Sequence, residues 1–204
     1  MIRTSLIGVY SAAATVLLLA SACTPHRVQY YQLSVPVNRV APAETGPILL
    51  VGRITTPQAL QDGRIHYREG LNEVGTYEYH RWTDPPGIIV KDALIHVLRA
   101  SGKYKSVQDA ASSTTEGDYT VRGKLQEFSE LDGNGITTRV SLDLELRDVK
   151  TGRMVWNQAF THDDPVQAKK VADVVASIDR NLQVVLGDAT SAIGSYVAAH
   201  PLVR

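Results

Sequence analysis

The sequence predicts an α/β fold in which helices pack on one sheet, and three stretches predict it. Ile48-Leu49-Leu50-Val51-Gly52-Arg53-Ile54 is apolar on both faces, the pattern of a strand covered on both sides of its sheet. Ile136, Val140, Leu142, Leu144 and Leu146 alternate with Arg139, Asp143, Glu145 and Arg147, which gives a strand with one buried and one polar face. Val171, Val174, Val175, Ile178, Leu182, Val185, Ala189, Ile193 and Tyr196 keep helical spacing for about seven turns, an amphipathic stripe that packs on the sheet.

Residues 1–22 stand apart from this fold. Arg3 supplies a short positive region and Leu6 to Leu19 is almost entirely apolar, the layout of an export signal too short for a comfortable membrane span. The run ends in Leu19-Ala20-Ser21-Ala22-Cys23-Thr24, which holds the only cysteine of the chain. It resembles a bacterial lipoprotein signal, in which Cys23 carries a diacylglycerol on its thiol and becomes the first residue of the mature chain. Ala20 and Ala22 also fit an ordinary export site, which cuts the same bond. The lone thiol favours lipidation, because exported chains seldom keep an unpaired cysteine without a use. One acyl chain holds a protein only marginally, whereas the three expected of a mature lipoprotein hold it permanently. Thr24 in place of Asp points, by the same resemblance, to the outer membrane on its periplasmic side.

The chain beyond the signal is one ordinary domain, large enough to bury about 70% of its unfolded surface without disulfides or metal. With 21 basic and 21 acidic side chains over the full sequence, it carries no electrostatic footprint for nucleic acid and no Lys/Arg cluster that grips anionic head groups. Residues 23–46, with Pro25, Pro36 and Pro42, read as a spacer interrupted by one short extended element at Tyr30 to Val35. Residues 47–200 form the globular part. After the strand at Ile48 to Ile54, Arg64 to Glu69 and Val74 to Trp82 form a strand pair around a turn at Gly70 to Glu73. Asp84-Pro85-Pro86-Gly87 breaks the pattern, a helix runs from Ile89 to Ala100, and Gly102 stops it. Asp109 to Gly117 is a loop, Tyr119 to Leu125 a strand, and Asp132-Gly133-Asn134-Gly135 a turn. Lys150-Thr151-Gly152 turns the Ile136 strand into a return strand, Met154 to Thr161, with Met154, Trp156 and Phe160 on one face.

The residues that carry chemistry are few. His26, His66, His80, His96, His162 and His200 are scattered, and no pair has the i, i+4 spacing of a helical metal site. Acidic ligands do not follow the Asp132 turn as a calcium loop requires. Ser191 lacks the G-x-S-x-G frame of a nucleophile elbow, and no Gly-rich loop with Lys and Ser/Thr is present to cradle phosphate. No catalytic residue, cofactor or metal is therefore expected. Tyr67, Tyr77, Tyr79, Arg81 and Trp82, with His80 among them, have the composition of a binding surface, and the readings open to them are core and edge packing, a protein-binding surface, or a lipid-contacting patch. The polar face at Arg139, Asp143 and Glu145 is expected to meet solvent.

The chain resembles the ABC-type transport auxiliary lipoprotein family, which includes the paraquat-inducible protein C lipoproteins. The resembling residues are Tyr30-Tyr31-Gln32-Leu33, Ile54 with Pro57 and Leu60 before Ile65-His66-Tyr67-Arg68, Tyr79 and Trp82 before Pro85 and Asp92-Ala93-Leu94, and Gly152 and Trp156 before the last helix. The resemblance implies a three-layer α/β/α sandwich with a mixed sheet, like the anticodon-binding-domain group, and a long C-terminal helix. It also implies a non-enzymatic lipoprotein that works beside an ABC permease and ATPase and a mammalian-cell-entry (MCE) domain protein, moving phospholipid or another hydrophobic molecule. An anchored envelope hydrolase and a periplasmic lipid carrier are the rival readings, and the exposed aromatic strand leaves a homo-oligomer open.

Overall fold

The computed structural model describes residues 26–34, 40–70, 72–133, 135–167 and 170–201, so the signal and Cys23 lie outside the described residues. Eight strands form one mixed sheet: β1 (Gln29–Tyr31), β2 (Ile48–Thr55), β3 (Arg64–Glu69), β4 (Glu73–Trp82), β5 (Ser106–Asp109), β6 (Tyr119–Asp132), β7 (Ile136–Asp148) and β8 (Met154–Pro165). Among the described residues two α-helices accompany them, α1 (Pro86–Ala100) and α2 (Val171–Ala199). The α/β class and the long C-terminal helix are those the sequence predicts, and the mixed sheet is the one the family resemblance implies.

β6 organises the sheet. At 14 residues it is about 45 Å long, and a bulge between Leu125 and Glu127 divides it. On one edge it pairs antiparallel with β7 along its whole length, and β8 pairs antiparallel outside β7. On the other edge two parallel strands lie end to end, β2 beside Tyr119–Lys124 and β3 beside Ser129–Asp132. β2 carries β5, while β3 carries β4 and then β1. The sheet thus has two wings joined by β6.

The core lies on one face. Register sets Leu49 and Val51 beside Tyr119 and Val121, and Leu142, Leu144 and Leu146 beside Leu125, Gly123 and Val121. These meet Val90, Leu94 and Leu98 of α1 and Ile178, Leu182, Leu186 and Ile193 of α2 in a single cluster. Both helices pack on this face and on each other. The other face is open among the described residues, so the second helical layer of the expected sandwich is not present there. Leu50, on that side of β2, is covered instead by the loop entering β6, where a Cβ at Gly117 would stand 2.5 Å from Leu50 Cγ. A run apolar on both faces needs cover on both sides, and a loop supplies it as well as a helix.

Local departures from the expected elements have physical causes. Pro86 begins α1 at the first helical position, where a missing N–H costs nothing, so the Pro-Pro break is the helix start. Gly102, at φ +64°, follows the last turn as expected. β5 is too short and polar to show in periodicity, and it exists because Ile48–Val51 offers it a partner. β8 carries a bulge between its pairs with Leu146 and Arg147, which turns Met154 away from Trp156 and Phe160 onto the open face, 51% exposed.

Candidate functional site

Two surfaces carry the polar and aromatic groups: the β1–β4 edge and the open sheet face. The aromatic stretch of β4 is divided by an irregularity in its pairing with β3, where Arg64 opposes Arg81 but His66 opposes Thr76. The extra residues change which side chains point inward. Trp82 is 3% exposed and packs on Phe128 at 5.3 Å between ring centres, so it belongs to the core. Tyr77 is half-buried and donates its hydroxyl to Glu130 Oε2 at 2.6 Å; burial, followed by that carboxylate, pushes the phenol well above its ordinary range. Tyr67 leans on Tyr77 and covers Gly75, where a Cβ would lie 2.3 Å from the Tyr67 ring. Only a residue without a side chain leaves that ring its place.

Tyr79 and Arg81 are partly exposed and belong to the edge. β1 runs parallel to β4 with Gln29, Tyr30 and Tyr31 beside His80, Arg81 and Trp82. The Tyr31 hydroxyl lies 2.9 Å from His80 Nδ1 and 2.8 Å from Gln29 Oε1, and the His26 ring stacks on Tyr79 at 4.7 Å. Beyond β1 the chain reaches α2, where Asp179 accepts the Ser34 N–H and Gln183 donates to the Ser34 carbonyl. The expected extended element is therefore stitched to the domain on both sides. The structure groups Tyr67 with Tyr77, sets Tyr79 and Arg81 at the edge, and removes Trp82 to the core; Cys23 lies outside the described residues.

The open face is a polar ladder. Arg122, Glu145 and Asn157 stand side by side across β6, β7 and β8, as do Lys124, Asp143 and Ala159. Further along, Arg139 meets Asp163 in a bidentate pair at 2.6 and 2.7 Å, which holds the Asp163 carboxyl below its usual range. A groove of ≈ 1380 Å³ runs over this face and is walled by Lys91, paired with Asp109 at 2.7 Å, and by Arg53. Its lining mixes charged groups such as Arg122, Asp143 and Glu145 with Ile88 and Met154, and the groove lies open to solvent.

A buried network, unforeseen in the sequence, ties α2 to β7 and β8. Asn181 Nδ2 donates to the Thr138 carbonyl and hydroxyl at 2.9 and 2.7 Å, Thr138 hydrogen-bonds Ser177 at 2.7 Å, and Ser177 donates to Asp164 Oδ2 at 2.7 Å. Arg180 closes on the same carboxylate at 2.6 Å, and Asn181 Oδ1 faces His162 Nδ1. Burial acts to raise the Asp164 carboxyl, but the Ser177 and Arg180 bonds outweigh it and the net shift is downward. Thr138, Ser177 and Asn181 have no exposed surface, so this grouping of Ser, His and Asp is a structural bridge beneath a helix. Its trace in the sequence is a pair of polar residues, four apart, inside the apolar stripe. Among the described residues no group of His, Cys, Asp and Glu is placed to hold a metal ion.

The described residues thus form a one-sided α/β domain, with an N-terminal strand clipped to its edge and a polar sheet face left open. The comparisons place it more closely. The family described as the ABC-type transport auxiliary lipoprotein component matches residues 31–188, and the chain belongs to that family. No curated protein matches the chain. Among solved structures it is similar to protein XCC0632 from Xanthomonas campestris, at 19% identity and a TM-score of 0.74, over 85% of this chain and 100% of that one. It is also similar to the hypothetical protein CT253 from Chlamydia trachomatis, at 10% identity and a TM-score of 0.57, over 76% of this chain and 100% of that one. At such identities these likenesses show a shared fold.

Proposed function

We propose that the protein is a non-enzymatic adaptor, anchored through Cys23 to the periplasmic side of the outer membrane, that binds the periplasmic part of an MCE-type ABC transport assembly moving phospholipid or another hydrophobic molecule. The observation that carries this reading is the family match over residues 31–188, which spans nearly all of the described fold, standing directly behind a leader that ends in a single cysteine. The open ion-paired face supports a binding role. The filled core supports an adaptor over a carrier, because a carrier needs an apolar cavity for its cargo. The burial of Ser177 supports an adaptor over a hydrolase, because a nucleophile must be reachable by substrate. Affinity purification of the full chain from solubilised membranes tests the proposal. Recovery of the permease, the ATPase and an MCE-domain protein is expected, and consistent recovery of none of them overturns it.

A further inference from the structure

We propose that the β1–β4 edge is a membrane-contacting surface, held in the head-group layer of the leaflet that carries the acyl chains of Cys23. The inference rests on the lipoprotein reading and on where the described chain begins. Three residue steps separate His26 from Cys23, so the connection spans at most about 10 Å when fully extended. His26 is itself fixed, stacked on Tyr79 with ring planes 22° apart, and three residues later β1 is hydrogen-bonded to β4. The part of the spacer that separates the domain from the anchor is therefore very short. A head-group layer is about 6 Å deep, so a tether of this reach brings the edge to the bilayer rather than letting the domain swing free.

The surface that arrives there suits that layer. Tyr30 is 65% exposed and Val28 37%, two of the few large apolar side chains left in water. Register sets Tyr30 beside Arg81 on the open side of β1 and β4, with Tyr79 next along the same strand. Arg27 and Arg81 make no ion pair among the described residues, and Arg27 adjoins Val28. On β4 beside Tyr79, Glu78 accepts the phenol hydroxyl, which raises that group, and Asp62 is paired with Arg64 at 3.2 Å. Tyrosine rings that are apolar in body and polar at the tip settle at the membrane interface, and arginines reach from it to lipid phosphate. The sequence separates Arg27 from Arg81 by 54 positions and so shows no basic cluster; strand pairing brings their neighbours together. The opposite edge, β8, lies five strand spacings away, about 24 Å, which leaves the polar groove clear of the lipid.

The test uses the acylated full chain in vesicles of phosphatidylethanolamine and phosphatidylglycerol. Because acylation blocks Cys23 and no other cysteine exists, a spin label can be placed at Tyr30→Cys or at Met154→Cys, the latter on the distant edge. In protein that floats with the vesicles, the label at position 30 is expected to be shielded severalfold from a water-soluble nickel chelate relative to the label at position 154. Equal accessibility at both positions in floating protein overturns the contact and leaves the anchor standing. Protein that fails to float overturns the lipoprotein reading and this inference with it. Shielding at position 30 that disappears as the protein is diluted in excess lipid marks a contact between copies, which also overturns it.

Discussion

Trp82 and Tyr79 stand three residues apart on β4 and serve opposite ends. Trp82 is sealed against Phe128, so Trp82→Ala is expected to lower stability by about 3–5 kcal/mol, through lost burial and the cavity left behind. Tyr79→Ala removes a partly exposed ring that stacks on His26 and donates to Glu78 at the edge, and is expected to cost less than about 1 kcal/mol. Denaturant midpoints of the two variants check the pair, and equal losses would refute the division. Tyr104 makes a second case. It is 3% exposed, its hydroxyl has no partner among the described residues, and burial pushes its pKa up to about 12. Burial penalises the phenolate, so a folded pKa above the unfolded value of about 10 leaves stability undiminished below pH 10 and erodes it as the pH rises toward 12. Tyr104→Phe is therefore expected to gain about 1 kcal/mol at neutral pH, by deleting an unsatisfied hydroxyl, and to lessen the decline above pH 10. Thermal melts across that range measure both effects.

At the scale of elements, α2 is seated by two different forces. Its apolar stripe supplies burial without direction, whereas the run of hydrogen bonds from Asn181 through Thr138 and Ser177 to Asp164 fixes its register on β7 and β8. Ser177→Ala leaves Thr138 and Asp164 each short of a partner, and about 1–3 kcal/mol of stability is expected to go with it. Chemical denaturation of Ser177→Ala beside Ser191→Ala, whose hydroxyl is exposed, separates this from a mere loss of polarity; equal effects would sink the assignment. In the sheet, Gly123 is where β6 lies closest to its neighbours, and a Cβ there would stand 2.5 Å from the Asp143 carbonyl oxygen and 2.6 Å from Leu144 Cδ2. The strand continues for seven residues past the apolar alternation read from the sequence because its pairing with β7 resumes after the bulge and runs to Asp132 opposite Ile136.

For the whole molecule, acid is the condition that tests the open face. The carboxyls of Asp109, Glu145 and Asp163 are held below their ordinary values chiefly by hydrogen bonds from Lys91, Arg147 and Arg139. A depressed folded pKa means stability that is present above the unfolded value and is lost as the pH falls through the folded one. The fold is therefore expected to weaken progressively below about pH 4, and Lys91→Met is expected to flatten that loss. Melts between pH 6 and pH 2 would show it, and an unchanged slope in the variant would count against the pair. The anchor works at the same scale, yet independently of folding. Cys23→Ser is expected to abolish incorporation of labelled fatty acid while leaving the melting temperature of the domain unaltered.

The sequence by itself determined the local elements and carries the export-signal pattern. Alternation at 136–147 and the apolar stripe from Val171 to Tyr196 follow directly from the periods of strand and helix, and a lone Cys23 behind an apolar leader needs no tertiary context to be read. Tertiary structure alone decided which aromatic side chains were spent on the core, because the irregular pairing of β4 changes the parity on which any alternation argument depends. It also decided that both helices take one face, that four-residue β5 exists at all, and that residues distant in sequence, Tyr30 and Arg81, share an edge. Each of these depends on a long-range strand pairing, whose free energy comes from partners far along the chain and leaves no local period to detect.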